Sequence, residues 1–543
     1  MLFFVALMAI CCAPIWSVKY FVNQDGSAHL QTSQIMLSLL RGNREASALF
    51  SFNSFSIPNS SGHWLMAGLL TFLAPYVVTK LMVTITFVGF VAALTFLRIR
   101  TAPGEGGVKT TMLIGAALAF NWLWLVGFYN FLIGLCFLLV TAAIFRTWMS
   151  ALNIRRSFAM AMLLLVTYFS HIVSFSLLIG SLVTMAVSTR VSKLKQNIAY
   201  LSLAAFPTVP LLASYKTSTG RRGAVSPVWR SLDNVTSLTS WTRQIRTADP
   251  FILISRNNFP FVGRKATFFA GLTPLLWISV ALALLTVSTL KDHVLTANSI
   301  PNSPKVPFVL LFGMLVGAAL FAPDDFGTEN GGVLRERILL CGLAFFVPLF
   351  RSSDLLWNRL AQTILLFIVG FQTLALLEYS VTSSKAATEY FVVRNAIPPN
   401  DTLAAVNLID GPPRFHSIPE GQWDGYFGFE QRLTILDNYE LGHDLFPVVM
   451  KKYPNRNTAR DLASANLIYT VKGAENFDKQ LRALSGALSK HNQKIDTLII
   501  WGRNRAVDDV VQKWFGPEPY FENGNVRLLH RKGLGEPQAP FPG

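Results

Sequence analysis

Along the chain, apolar residues gather in long blocks separated by short polar connections. A helix needs roughly 20 apolar residues to cross a hydrocarbon core. Blocks of that kind lie near 2 to 20, 77 to 97, 110 to 127, 130 to 148, 157 to 173, 174 to 189, 196 to 214, 266 to 289, 306 to 322, 338 to 350 and 360 to 380, about eleven crossings. The stretch HWLMAGLLTFLAP, residues 63 to 75, is shorter than most of these, and apolar runs of about 10 to 14 residues are interfacial or re-entrant more often than spanning. Read as a membrane-hugging segment, it leaves an odd number of crossings. Residues 26 to 41 ahead of it read as an amphipathic helix. After residue 381 the pattern changes: strand-like TLAAVNLI and IDTLIIWG alternate with helix-like ENFDKQLRALSGALSKH, as in a small α/β domain. GPPRFHSIPEGQWDGYFGF reads as a long ordered loop. The expected fold is an α-helical polytopic membrane protein of about 11 transmembrane helices plus juxtamembrane helices, with a small extracytoplasmic α/β domain at the carboxy terminus. Residues 1 to 380 form the transmembrane domain and 381 to 543 the exported one.

Composition agrees with this reading and excludes an ordinary soluble protein. The chain is 52% hydrophobic and 14% charged, with a mean hydropathy of +0.41, whereas soluble domains average about 25% charged residues. The net charge of +17 is not read as a nucleic-acid footprint, because membrane proteins retain arginine and lysine in cytoplasmic loops. Basic residues indeed fall in every second connection: Arg98, Arg100 and Lys109; Arg146, Arg155 and Arg156; Arg190, Lys193 and Lys195; Lys291 and Lys305; Arg351 and Arg359. Those loops and the amino terminus are then cytoplasmic. Outward lie the first outer loop (21 to 76), the GFYN turn (127 to 130), the turn at His171, residues 215 to 265, 323 to 337, and everything after 381. MLFFVALMAICCAPIWSVKYF lacks a basic n-region and a small-residue cleavage site, so it reads as a retained first span. Cys11, Cys12, Cys136 and Cys341 all lie in apolar blocks, so the exported domain is expected to hold no disulfide.

This topology puts the unusual polar residues on one side. Asp25, His29, His63, Tyr129, Asn130, His171, Asp324, Asp325, Arg335 and Arg337 all fall at outer span ends or in outer loops, so chemistry is expected at the outer face. Asp25 and His29 share a helix face at i and i+4, although Asp25 also suits a helix N-cap. His63 in PNSSGHW and His171 in YFSHIV equally suit helix-end anchors. In PDDFGTENGGVLRERILL, Arg335 and Arg337 match a phosphate ligand or snorkel to headgroups, while Asp324, Asp325 and Glu329 carry no spacing diagnostic of a metal. The loop from 215 to 265 holds Lys216, Arg221, Arg222, Arg230, Arg243, Arg246, Arg256, Arg264 and Lys265 against Asp233 and Asp249. Such a surface attracts anionic membrane lipids or a phosphorylated carrier, with general surface charge as the plainer explanation. Asp437, Asn438, Tyr439 and Glu440 form a polar run suited to lining a carbohydrate or facing the membrane domain, with turn chemistry as the plain alternative.

The layout resembles the GT-C superfamily of membrane glycosyltransferases, which includes protein mannosyltransferases and the aminoarabinose and arabinofuranosyl transferases; the chain looks like a divergent member. Asp25 in NQDGSAHL occupies the place of the family's acidic motif after the first span, and PNSSGHWLMAGLL looks like its segment ahead of the second. The likeness covers mainly residues 1 to 200. It implies inverting transfer of a sugar from a polyprenyl-phosphate donor to a glycan, lipid or protein acceptor, at the outer face of an inner (plasma) membrane. Asp25 would be the general base with His29 beside it, and Arg335 and Arg337 would stabilise the departing phosphate. His63, Tyr129, Asn130, His171, Asn438, Tyr439 and Glu440 complete the candidate substrate site. Family members often pair acids in the first loop and carry another in the second; here Gln24 and Gly26 flank Asp25, and GFYN offers Asn130. No metal ligand is therefore assigned and the cofactor stays open: a divalent cation is compatible with the sequence but not required by it. Two readings stand outside the enzyme class. A transporter or flippase of a lipid-linked or anionic substrate would show charges deep within spans or matching halves, and Glu378 lies instead near an outer end. The other is a non-catalytic scaffold of the same fold.

Overall fold

The computed structural model describes residues 1–188, 191–219, 248–251, 253, 274–292, 305–323, 332–351, 356–409, 415, 417–427, 433–451, 456–470 and 476–533. Among these, three helices are long and apolar enough to cross a membrane: Pro75–Thr101, Tyr129–Ala151 and Leu356–Ala396. A fourth results if Lys193–Ala205 and Thr208–Thr217, bent by 54°, count as one; Pro207 lies in that break and removes a helical donor there. Other apolar blocks hold shorter helices, Leu2–Trp16, Val108–Ala119, Ile172–Val187, Pro274–Leu290 and Val306–Phe321.

Among the described residues, local breaks and shifts account for two of the shorter helices. The block from 110 to 127 splits where the Asn121 side chain accepts a bond from Trp124 N at 2.9 Å and starts a new helix. Gly127 ends that helix at φ 107°, a conformation glycine adopts without strain. The block from 338 to 350 is displaced: its helix is Leu334–Ala344, which draws Arg335, Glu336 and Arg337 into buried positions. In the basic loop expected at 215 to 265, Arg221, Arg222, Arg230, Asp233, Arg243, Arg246, Arg256, Arg264 and Lys265 lie outside the described residues, as do Arg190, Asp324, Asp325 and Glu329.

The chain divides into two compact units. Met1–Ala13, Pro58–Ser61 and Val83–Leu376 form one; Pro14–Ile57, Gly62–Met82 and Leu377–Gly543 form the other. Most of the first outer loop, in Pro14–Ile57 and Gly62–Met82, thus falls in the same unit as the carboxy-terminal region.

In the first unit the connections sort into two sets. In one, Lys305 Nζ meets Glu105 Oε2 at 2.7 Å, Lys193 Nζ donates to Ser150 O, and buried Arg98 donates to the carbonyls of Gly106, Val347 and Phe350. In the other, Asn130 Nδ2 donates to Asn59 O at 3.0 Å, Ser60 N to Phe169 O, and Ser170 Oγ to Ser61 Oγ. These are the same two groups of loops that alternating basic charge separates.

The second unit is built on a sheet of strands β2 (Thr402–Ile409), β3 (Thr434–Ile435), β5 (Leu467–Tyr469), β6 (Thr497–Trp501), β7 (Phe521–Asn523) and β8 (Val526–His530). The six inner residues of β2 are all buried, as a central parallel strand covered on both faces requires. It pairs in parallel with β6 on one side and with β3 and β5 on the other, and β6 continues antiparallel through β8 to β7. Leu484, Ala487 and Leu488 of helix Phe477–His491, at helical spacing, share one core with Ala404, Val406, Leu498 and Ile500 of the sheet. Ile35, Met36 and Phe50 join the same core. Phe50 also begins strand β1 (Phe50–Phe52), paired antiparallel with β4 (Val448–Met450).

The helix expected to be amphipathic is Gly26–Leu40, and both its faces are covered. Ser27, His29, Gln31, Thr32, Ser33 and Gln34 are buried together with Leu30, Ile35 and Met36. Buried polar groups require partners. The 3-10 turns of Pro419–Tyr426 lie against this helix so closely that a Cβ on Gly425 would sit 2.6 Å from Ser27 O.

Candidate functional site

Three elements of the second unit bring two imidazoles and a carboxylate together. His29 lies in the first turn of Gly26–Leu40, His63 near the start of helix Ser61–Leu69, and Glu440 in the single helical turn Tyr439–Gly442. Asn438 starts that turn by accepting from Glu440 N at 3.0 Å. Its Nδ2 then donates to Ala28 O at 3.1 Å and Gln31 Oε1 at 2.8 Å, which fixes the turn to the helix. His29 Nδ1 lies 2.5 Å from Glu440 Oε1; His63 Nε2 lies 3.1 Å from Oε1 and 3.0 Å from Oε2; Thr32 Oγ1 donates to Oε2 at 2.5 Å. The two ring nitrogens are 3.3 Å apart. His29, His63 and Glu440 are 5%, 1% and 0% exposed, and the Phe446 ring flanks both imidazoles. Burial opposes charge on Glu440, but the adjacent imidazoles outweigh it and hold the carboxyl well below its usual range. The cluster therefore offers three metal-capable groups, with ligand atoms all within 4.8 Å of one another.

The other residues singled out from the sequence fall elsewhere. Asp25 precedes Gly26–Leu40 and is half-buried; its carbonyl accepts from His29 N, but its side chain makes no capping bond to the helix. The Tyr439 ring packs edge-on to Phe446. In the first unit, Tyr129 is buried and Asn130 binds Asn59. His171 Nδ1 accepts from Val173 N at 3.1 Å as the N-cap of Ile172–Val187, and its Nε2 lies 3.3 Å from Arg337 Nη1. The Arg337 guanidinium also packs over Phe128 and Phe131. Arg335 donates to Ala319 O at 2.8 Å and Leu320 O at 3.2 Å, the end carbonyls of Val306–Phe321, where a cation complements the helix dipole. The two arginines expected as a phosphate pair thus turn to different partners.

Two features of the second unit were not read from the sequence as such, although Asp437 of the second was noted within a polar run. A cavity of about 400 Å³ is lined by Lys19, Tyr20, Tyr76, Phe391, Arg394 and Tyr426, among others. Its walls include the first residues of Pro75–Thr101 and the last turn of Leu356–Val392, the ends of two membrane-length helices. Tyr20 packs edge-on to Tyr76 and Phe391, with Lys19 Nζ 5.0 Å from the Tyr20 ring centroid. The available signal was the aromatic and basic WSVKYF closing the first apolar block, which reads as an ordinary interfacial anchor. The second feature is a buried acid pair. Burial and the neighbouring carboxylate push Asp424 well above the carboxylate range, and burial raises Asp437 although Ala405 N–H donates to it. Oδ1 of each finds no donor among the described residues, and a proton shared between them would supply one.

No protein-family model matches the sequence, and no curated protein matches it. Among solved structures it is similar to ArnT from Cupriavidus metallidurans bound to undecaprenyl phosphate, with 13% identity, a TM-score of 0.40, and 99% of each chain covered. The same protein in the apo state gives 13% identity and 0.38, covering 97% of each chain. A mutant of the mycobacterial arabinofuranosyltransferase AftD gives 12% and 0.37, covering 97% of this chain and 41% of that one. Similarity at this level assigns no residue a role.

Proposed function

We propose that this chain is a membrane glycosyltransferase that moves a sugar from a polyprenyl-phosphate donor to an acceptor at the extracytoplasmic face. The observation that carries this reading is the cationic, aromatic cavity at the ends of two membrane-length helices, in the same compact unit as Asp25. A lipid-linked phosphate presents its charge where such helices leave the hydrocarbon. The Lys19 ammonium and Arg394 guanidinium supply positive charge for a leaving phosphate, and the rings of Tyr20, Tyr76 and Phe391 suit the apolar faces of a sugar or the first isoprene units. Asp25 lies six positions after Lys19, so at most roughly 22 Å of chain divides them.

In this reaction Asp25 takes the proton of the acceptor hydroxyl as its oxygen attacks the anomeric carbon. Attack comes from the face opposite the phosphate, so the configuration inverts. The bond between the anomeric carbon and the phosphate oxygen breaks, and its electron pair leaves with polyprenyl phosphate. Alternating basic loops support an outward-facing carboxy-terminal region.

Purified protein incubated with polyprenyl-phosphate sugars tests the reading through release of polyprenyl phosphate. Asp25→Asn is expected to lower kcat by about 10²- to 10⁴-fold, the usual range for a general base, with donor KM near that of the wild type. Absence of release by the wild type with every donor tried would reject transfer; undiminished turnover in the variant would remove Asp25 from the mechanism while leaving the activity.

A further inference from the structure

We propose that His29, His63 and Glu440 bind one divalent transition-metal ion of the zinc class, and that the ion fastens helices Gly26–Leu40 and Ser61–Leu69 to the turn that carries Glu440. The donor set decides the class. Two imidazole nitrogens and one carboxylate oxygen match zinc and its first-row neighbours, whereas magnesium and calcium seek about six or more oxygens and copper(I) seeks sulfur. Bonds of about 2.0–2.2 Å in a tetrahedron place ligand atoms roughly 3.3–3.6 Å apart. Here the imidazole nitrogens are 3.3 Å apart and His63 Nε2 lies 3.0 and 3.1 Å from the two carboxylate oxygens, while His29 Nδ1, at 2.5 Å from Glu440 Oε1, must draw apart from that oxygen as the ion enters.

A network of protons alone is less well satisfied by this arrangement. For both imidazoles to donate to one carboxylate, two N–H dipoles must lie side by side 3.3 Å apart in a site hidden from water. A cation at the point where the lone pairs converge removes that conflict. Three protein ligands leave a fourth position open. Thr32, donating to Glu440 Oε2 at 2.5 Å, orients the carboxylate from behind, as outer-shell hydroxyls do. The ligands are 34 and 377 residues apart in the chain, and a clip across so long a separation removes much freedom from the unfolded chain.

The full chain, purified without chelators, is expected to carry about one equivalent of zinc or a first-row neighbour by elemental analysis. After chelator treatment and titration with Co²⁺, the visible bands of a four-coordinate nitrogen–oxygen site should appear and be bleached by Zn²⁺. The chelator should lower the unfolding midpoint of the wild type, and Zn²⁺ should restore it. Glu440→Gln and His63→Ala should abolish the bands; because these variants risk misfolding, Thr32→Ala serves as a gentler one, with Co²⁺ affinity lowered about 10- to 100-fold. A chelated wild type that shows neither Co²⁺ bands nor recovery with Zn²⁺ overturns the site, as does unchanged Co²⁺ affinity in Thr32→Ala together with His63→Ala. The site does not rest on the glycosyl-transfer reading: zinc binding without transfer leaves the site standing, and transfer by a chain without metal leaves only the transfer.

Discussion

The buried acid pair makes a prediction whose sign is set by its surroundings. Asp424 and Asp437 are each 1% exposed, and the ordinary value for both carboxyls is 3.8, from which the fold moves them upward. A group whose folded pKa is raised contributes stability that is complete below its unfolded pKa and is lost as pH rises through the folded one. Asp424→Asn keeps the size and places a permanent N–H donor opposite Asp437, so the variant needs no shared proton. Between pH 3.8 and the raised pKa, the wild type should therefore lose up to about 1.4 kcal/mol per pH unit relative to the variant. Each pH unit of that window should widen the gap by roughly 3–6 °C in unfolding midpoint, at about 2–4 °C per kcal/mol. Intrinsic fluorescence during heating reads this directly, because Trp423 is buried and packs against Trp501 with ring centroids 5.3 Å apart. Melting both proteins at pH 4, 5, 6 and 7.5 should show a gap that opens with pH. A gap that stays constant, or a variant that falls behind as pH rises, would refute the shared proton.

Gly425→Ala pushes a methyl group into Ser27 O and C, and should cost about 1–3 kcal/mol as overpacking does, measured as a lower unfolding midpoint and earlier proteolysis of the Pro419–Tyr426 turns. Lys19→Ala with Arg394→Ala should raise the KM for a polyprenyl-phosphate sugar more than it lowers kcat; an unchanged KM would remove the cavity from donor binding. A cysteine at position 55, where Phe55 is 85% exposed, should react with a membrane-impermeant maleimide added outside intact cells, because the native cysteines lie in apolar helices. Labelling only after lysis would invert the topology.

Much of the architecture was legible because it rests on local, periodic signals. TLAAVNLI corresponds residue for residue to β2, and ENFDKQLRALSGALSKH contains helix Phe477–His491, since burial on both faces and a 3.6-residue stripe are written in consecutive positions. Alternating basic loops also separated the connections into the two sets that touch one another in the first unit. Helix breaks were less legible. Asn121 inside an apolar run acts through one side-chain bond to its own backbone, and hydropathy does not register that bond.

Sequence by itself determined an apolar, multi-helical chain followed by an α/β region, together with the chemical types of Asp25, His29, His63 and Glu440. Only tertiary structure decided that the first outer loop packs with the carboxy-terminal region, that the polar face of Gly26–Leu40 is buried, and that His29 and His63 meet Glu440. The reason is physical. A helix or strand is selected by neighbours a few positions away, whereas residues 34 and 377 positions apart are brought within hydrogen-bonding distance only by the shared core of Ile35, Met36, Phe50 and the sheet, and spacing along the chain carries no trace of that meeting.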